Sequence, residues 1–349
     1  MSETSALSPT GSQPVEKKDQ EETAVDTRIQ KKPTVFVTRK LPQVAWEELL
    51  MHTDAEIWDY ETPAPYEVIL EKVRGKDGLL CLLTDRIDAQ VMDAGSKLKV
   101  ISQIAVGFDN IDVQEATARG IRIGNTPGVL TDATADFTFA LLMASARRIG
   151  EGIDYVRQGK WKTWGLTLLL GEEIFGRTLG IIGMGRIGQA VAKRARGFDM
   201  KILYTDRRKV QEAEEELGAV YRSLEEVLRQ SDFVSLHVNL NEETRGLMGS
   251  QEFDLMKPSA ILINTARGPI VDQAALYAAL RDGKIAYAAL DVTDPEPLPA
   301  DDPLLSLPNL IIVPHIASAT VTSRTKMCLM AIQNLVAGLN GEKLPFPVN

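Results

Sequence analysis

The stretch TLGIIGMGRIG, residues 178–188, decides the architecture of this chain. Its apolar run at 179–182 reads as a buried parallel strand. That run leads directly into Gly183, Met184, Gly185, Arg186, Ile187 and Gly188, a G-x-G-x-x-G, and residues 189–194 (QAVAKR) continue as a helix. Strand, glycine turn and helix form the setting in which this motif binds a dinucleotide. Gly183 permits the tight turn, Gly185 lets the backbone approach a pyrophosphate, and Gly188 lets helix and strand pack closely. The helix N-terminus faces the phosphates. The motif begins at residue 183 of 349, so about half the chain precedes it and has another task.

The length suggests two domains. A hydrophobic content of 44% and a charged content of 25% suit a soluble globular protein. The net charge of -9 disfavours nonspecific binding to nucleic acid or anionic membrane. No apolar run approaches the roughly 20 residues that span a bilayer. Cys81 and Cys328 are the two cysteines and lack metal-type spacing, so no metal site is expected and a reducing cytoplasm is the natural compartment. Residues 1–32 are rich in Ser, Thr, Glu and Lys and read as a disordered tail. Their acids argue against a mitochondrial transit peptide.

Outward from the glycine turn, the chain alternates strands and helices. Before it, strands are expected at 34–38, 55–60, 78–83, 98–105 and 121–123, separated by helices. Alternation of this kind implies a parallel sheet covered on both faces. A helix at 133–156, with Thr131 and Asp132 as its N-cap, bridges to the second unit. Six strands are expected there: 179–182, 202–205, 233–238, 260–264, 286–292 and 310–314. A final helix at 325–339 can return to the first unit. The fold class is therefore α/β, with two doubly wound parallel-sheet domains. A Rossmann cofactor domain (131–317) is inserted into a flavodoxin-like substrate domain (33–130 plus 318–349).

An acid about 20 residues past the glycines accepts from the ribose hydroxyls. Asp206, ending the strand ILYTD, stands there and favours NAD(H). Arg207 and Arg208 beside it can clamp a 2′-phosphate, which leaves NADP(H) possible. Reduction of a carbonyl also needs a proton donor and a cation. Arg267, Glu296 and His315 follow successive strands of the second unit, at the carboxyl edge where ligands bind in open α/β sheets. His237 also ends a strand, without an acid placed beside it by sequence, and reads as structural.

Several long motifs stand in one order: VGFDNID (106–112), NTPGVLT (125–131), GMGRIG (183–188), NTARG (264–268), LDVTDPEP (290–297) and PHIAS (314–318). Together they resemble the D-2-hydroxyacid dehydrogenase family from residue 33 to the C-terminus. GKWKTW (159–164) and DVTDPEPLP (291–299) resemble its glyoxylate/hydroxypyruvate reductase branch. The resemblance implies reduction of a small 2-oxo acid to the 2-hydroxy acid by hydride transfer. In that setting Arg267 anchors the substrate carboxylate and carbonyl, and His315 donates the proton. Glu296 orients the imidazole and favours its protonated form. Val106 and Gly107 offer backbone N–H groups to the carboxylate, and Trp164 reaches the pocket of a partner subunit, so a homodimer is implied. Thr265, Ala266 and Asp291 line the nicotinamide site, and Val238, Asn239, Thr244 and Ala317 join the cofactor contacts. The chain departs from the family in having HVNL (237–240) where His-x-Pro-Leu is common, and Ala317 where glycine is common. Other readings are a different family substrate, D-lactate or phosphite, or a nonenzymatic NAD-sensing protein like the corepressors that keep this fold. Phosphite dehydrogenases carry lysine where Val106 stands.

Overall fold

The computed structural model describes residues 31–349; the expectation for the remainder of the tail lies outside the described residues. Five strands form the first sheet: β1 (Thr34–Val37), β2 (Asp54–Ile57), β3 (Gly78–Cys81), β4 (Val100–Gln103) and β5 (Arg122–Gly124). All pair in parallel, in the order β2-β1-β3-β4-β5. This is the flavodoxin-like strand order. Helices α1 (Gln43–His52), α2 (Tyr66–Lys72), α3 (Ala89–Ala94) and α4 (Val113–Ala118) make the crossovers. Alternation along the strands sorts side chains into two cores, with Val35 and Val37 on one face and Phe36 on the other.

The second sheet has seven parallel strands: β6 (Thr178–Ile182), β7 (Lys201–Thr205), β8 (Val220–Tyr221), β9 (Phe233–Leu236), β10 (Ile261–Asn264), β11 (Tyr287–Leu290) and β12 (Leu310–Ile312). Their order, β12-β11-β10-β9-β6-β7-β8, reverses direction at β6, the strand that feeds the glycine turn. This is the doubly wound pattern in which the crevice opens beside the first strand. Six strands were expected. The additional one, β8, has two residues, too few for a periodic signal, and its Tyr221 packs edge-on against Tyr204 at 5.5 Å.

The helix expected at 133–156 is two helices, α5 (Thr131–Ala146) and α6 (Ile149–Arg157), parted at Arg148, which takes a left-handed φ of 52°. A continuous helix needs the Ala146 carbonyl for the N–H of residue 150. That carbonyl instead accepts from the backbone N–H of Glu172 at 2.8 Å. Arg148 holds the same crossing by donating to the Leu170 carbonyl at 3.2 Å. The start of α5 also differs. Thr131 is its first residue, Leu130 occupies the cap position, and no side chain caps it.

The last helix, α12 (Val321–Leu339), packs on the first sheet through Met327, Cys328, Ala331 and Leu335. Buried Asn334 locks this arrangement. Its Nδ2 donates to the Asn125 carbonyl at 2.9 Å, and its Oδ1 accepts from the Phe346 N–H at 2.9 Å. Among the described residues, no helix is long and apolar enough to cross a membrane.

Candidate functional site

The carboxyl edges of both sheets open on one cleft of about 440 Å³. The loops after β4, β9, β10 and β12, the start of helix α7 (Arg186–Ala195) and the start of α12 all reach it. Of the residues expected from sequence, Val106, Gly107, Arg186, Ile187, Val238, Asn239, Thr265, Ala266, Arg267, His315 and Ala317 line it.

The glycine turn is built as its sequence requires. Gly183 has φ +97°, and a Cβ there would lie 2.7 Å from the His237 carbonyl. A Cβ on Gly188 would lie 2.2 Å from the Gly183 oxygen, so only glycine lets α7 approach the turn. Around Gly185, by contrast, a Cβ would meet no protein atom. Helix α7 has no side-chain cap, which leaves its first N–H groups for an anion. Asp206 sits at the end of β7 and accepts from the Met184 N–H at 2.8 Å and the Arg207 N–H at 2.7 Å. Arg207 and Arg208 are exposed beside it. The turn, the uncapped helix and this acid fit a dinucleotide.

Arg267 follows β10 in a turn held by Asn264, whose Nδ2 donates to the Arg267 carbonyl at 2.9 Å and whose Oδ1 accepts from the Ala266 N–H at 3.0 Å. Its guanidinium spans the cleft: Nε donates to Asp109 Oδ1 at 3.0 Å, in the loop after β4, and Nη1 to the Ala266 carbonyl at 2.8 Å. The Val106 carbonyl accepts from Asn125 at 2.7 Å and the Gly107 carbonyl from Gln103 at 2.9 Å. The N–H groups of residues 106 and 107 have no partner among the described residues. They are two backbone donors in the cleft wall beside Arg267.

His315 follows β12 and takes a left-handed φ of 52°. Its Nδ1 lies 2.5 Å from Glu296 Oε1, which leaves Nε2 as the nitrogen available to a ligand. Asp291 stands behind it, buried, with its carboxylate accepting from the Ile316 and Ala317 N–H groups at 2.7 and 2.9 Å. Burial pushes the Asp291 carboxyl up, while the two N–H groups and the neighbouring His315 pull it down. Glu296 and Asp291 thus support the cleft wall from behind. Thr265 is tied to Thr138 of α5 at 2.8 Å between hydroxyl oxygens.

Two expected residues stand apart. Thr244 holds its own loop, its hydroxyl donating to the Asn239 carbonyl at 2.6 Å. Trp164 is 76% exposed and is not part of the cleft wall in a single chain. Sequence reasoning also left out residues that line the cleft: Asp109, His237, Ser318 and Arg324. Asp109 was legible inside VGFDNID, but its pairing with Arg267, 158 residues away, was not. His237 contacts the Ser235 hydroxyl at 2.8 Å, and burial pushes its imidazole down to about 3.

The family model described as "D-isomer specific 2-hydroxyacid dehydrogenase, NAD binding domain" matches residues 139–317. Among curated relatives, a glyoxylate reductase of Korarchaeum cryptofilum is 53% identical over 91% of this chain and 96% of its own. One of Aeropyrum pernix is 51% identical over the same shares. Among solved structures, an NADPH-dependent glyoxylate/hydroxypyruvate reductase from Sinorhizobium meliloti, in complex with NADP and malonate, is 32% identical with a TM-score of 0.82, covering 91% of this chain and 97% of that one.

Proposed function

This chain belongs to the D-isomer specific 2-hydroxyacid dehydrogenase family, and from that premise we propose that it reduces a small 2-oxo acid, glyoxylate or hydroxypyruvate, to the 2-hydroxy acid. Membership makes it a nicotinamide-dependent oxidoreductase. The observation that carries the substrate reading is the shared cleft, in which Arg267, the unpaired N–H groups of residues 106 and 107, and His315 converge beside the start of α7.

When bound, the nicotinamide cofactor supplies the hydride. It would be held by the turn at Gly183–Gly188 and by Asp206. Asp206 supports a preference for NAD(H), because a carboxylate accepts from a 2′-hydroxyl and repels a 2′-phosphate. The exposed Arg207 and Arg208 keep NADP(H) usable. Arg267 holds the substrate carboxylate through charge-assisted hydrogen bonds and polarises the carbonyl, aided by the two free N–H groups. His315 presents a proton at Nε2 toward the carbonyl oxygen. Glu296, at 2.5 Å from Nδ1, fixes the ring's direction.

A homodimer is part of this reading. Ile149, Ile153 and Val156 of α6, and Trp161, Trp164, Leu166 and Leu170 of the segment that follows, are exposed apolar side chains. The segment folds back on α5 through the Glu172–Ala146 hydrogen bond at 2.8 Å, so these side chains belong to one region. A second copy would cover it and bring Trp164 to the partner's cleft. The buried thiols of Cys81 and Cys328 are free, as suits a reducing cytoplasm.

The deciding experiment is steady-state kinetics with glyoxylate, hydroxypyruvate and pyruvate, each with NADH and NADPH. Turnover of at least one acid, faster with NADH, is expected. Binding of NADH without turnover of any small 2-oxo acid would refute the enzymatic reading.

A further inference from the structure

Glu296 reaches His315 from an exposed loop. Residues 294–297 (DPEP) are all exposed, and the Glu296 side chain is 33% exposed against 20% for His315. Pro295 and Pro297 have no backbone N–H with which to anchor the loop. Thr293 ties it only to itself, its hydroxyl donating to the Pro295 carbonyl at 2.8 Å. A carboxylate on such a segment samples many positions unless something outside the loop fixes its backbone.

Apart from the contact of Glu296 with His315, one side chain supplies every hydrogen bond that reaches residues 293–297 from elsewhere among the described residues. Gln273 Nε2 donates to the Asp294 carbonyl at 2.5 Å, and its Oε1 accepts from the Asp294 N–H at 2.7 Å. Both backbone groups of Asp294 are thus met by the two ends of one amide, directly upstream of Pro295 and Glu296. Paired bonds of this kind fix direction as well as position, where a single bond would leave the loop free to swivel.

Gln273 is itself presented from a rigid base. It opens the helix α11 (Gln273–Arg281), whose N-cap Asp272 accepts through its side chain from the Ala274 and Ala275 N–H groups, both at 3.0 Å. The Asp272 N–H donates to the Met248 carbonyl at 3.0 Å, and the Met248 N–H to the Ile270 carbonyl at 3.0 Å. Ile270, Ala275 and Leu276 are buried. With the helix capped by Asp272, the Gln273 amide is left to reach outward. The turn that carries Arg267 grips the same loop. A Cβ on Gly268 would lie 1.9 Å from the Thr293 carbonyl oxygen and 2.8 Å from the Asp294 nitrogen, so the two backbones are in direct contact. The segment from Arg267 to Gln273 therefore holds the Glu296 loop at two points, by packing at Gly268 and by hydrogen bonds at Gln273.

We propose that Gln273 is a positioning residue for the reduction: by clamping Asp294 it holds Glu296 on Nδ1 of His315, and so keeps Nε2 aimed at the substrate carbonyl. The inference rests on the functional reading above, in which His315 gives up the proton. Gln273 does not line the cleft, so its removal leaves in place the surfaces that take the substrate carboxylate and the dinucleotide. The loss falls on the reacting step and not on binding. A misplacement of about 1 Å at a reacting group costs up to about 100-fold in rate. The His315 N–H still donates to the Asp291 carbonyl at 2.9 Å, which keeps part of the alignment, and the expected loss in kcat is about tenfold.

The test is kcat, KM and NADH affinity, with the preferred 2-oxo acid, in the wild type, Gln273→Leu, Glu296→Ala and the double variant. Leucine keeps the volume and the helix propensity and removes the amide. Gln273→Leu should lower kcat about tenfold, with KM and NADH affinity within about twofold of wild type. Because Gln273 acts through Glu296, the double variant should be no more than about twofold slower than Glu296→Ala alone. Gln273→Glu keeps the acceptor for the Asp294 N–H and loses the donor to its carbonyl, and should fall between wild type and Gln273→Leu. A kcat in Gln273→Leu within about twofold of wild type overturns the assignment. So does a fall that multiplies with that of Glu296→Ala, or a loss carried by KM at unchanged kcat. Should Gln273→Leu not fold, an unchanged kcat in Gln273→Glu overturns it likewise. A wild type that reduces no small 2-oxo acid refutes the functional reading itself, whereas turnover with an unmoved kcat in Gln273→Leu refutes only the role of Gln273.

Discussion

Gly107→Ala isolates the placement of Arg267 from its presence. The backbone at 107 does not require glycine's left-handed φ, so alanine is conformationally allowed. Its Cβ, however, would sit 1.7 Å from Arg267 Nη2, 2.8 Å from Cζ and 3.1 Å from Asp109 Oδ1. Carbon and nitrogen need about 3.5 Å between them, so the guanidinium must retreat by roughly 1.8 Å. That movement breaks or stretches the 3.0 Å bond to Asp109, a pair whose side chains are 21% and 34% exposed. Loss of such a pair costs about 1 kcal/mol or less, which lowers Tm by only about 2–4 °C in a domain of this size. Displacing a carboxylate anchor by more than 1 Å should instead lower kcat/KM by about 100-fold. The assay is steady-state reduction of the preferred 2-oxo acid, with NADH affinity measured separately by fluorescence and expected to hold within about twofold. If the alanine acts through Arg267, then Gly107→Ala combined with Arg267→Ala should be little worse than Arg267→Ala alone. A Gly107→Ala enzyme with kcat/KM within about threefold of wild type would refute the close approach and the role it supports.

Four further outcomes are expected. His315→Ala should lower kcat by about 10²- to 10⁴-fold while NADH still binds, and an unchanged kcat would remove His315 as proton donor. Asp206→Ala should shift the NADPH-to-NADH ratio of kcat/KM toward NADPH by about tenfold; a constant ratio would show that the acid does not read the ribose. Asn334→Ala strands the Asn125 carbonyl and the Phe346 N–H and should cost about 3 kcal/mol in urea denaturation, with less than 1 kcal/mol arguing that the C-terminal segment repacks. His237 has its pKa lowered from 6.5 to about 3 by burial, so only the unfolded chain binds its proton in the interval between. Stability should therefore fall as pH drops from about 6.5 toward 4.5, by at most about 1.4 kcal/mol per pH unit, and His237→Gln should flatten that slope.

Much of the site was legible because it is local. The turn at 183–188 needs only a strand, three glycines and a helix in sequence, and the close contacts of Gly183 and Gly188 lie within that motif or at the adjoining strand end. Arg267, Glu296 and His315 could be nominated because in a parallel sheet every strand ends at the same edge. The breaks in this legibility are non-local. The helix at 133–156 parts where the Glu172 N–H, distant in sequence, takes the Ala146 carbonyl. Strand β8 is too short to show alternation and exists through pairing with β7.

By itself, then, the sequence determined the class of fold, the glycine turn after β6 and the residue types gathered along one sheet edge, since periodicity and turn chemistry are encoded within a few residues of one another. Only the tertiary structure decided how those residues act together. Closure of the two sheets on one cleft sets Asp109 against Arg267 and leaves the N–H groups of 106 and 107 free. It also aims Nε2 of His315 into the cleft by placing Glu296 on Nδ1, and it delivers Arg324 from a helix packed on the other sheet. Each of those relations joins positions far apart in the chain, and what joins them is the burial of α12 and the strand order, which no local pattern contains.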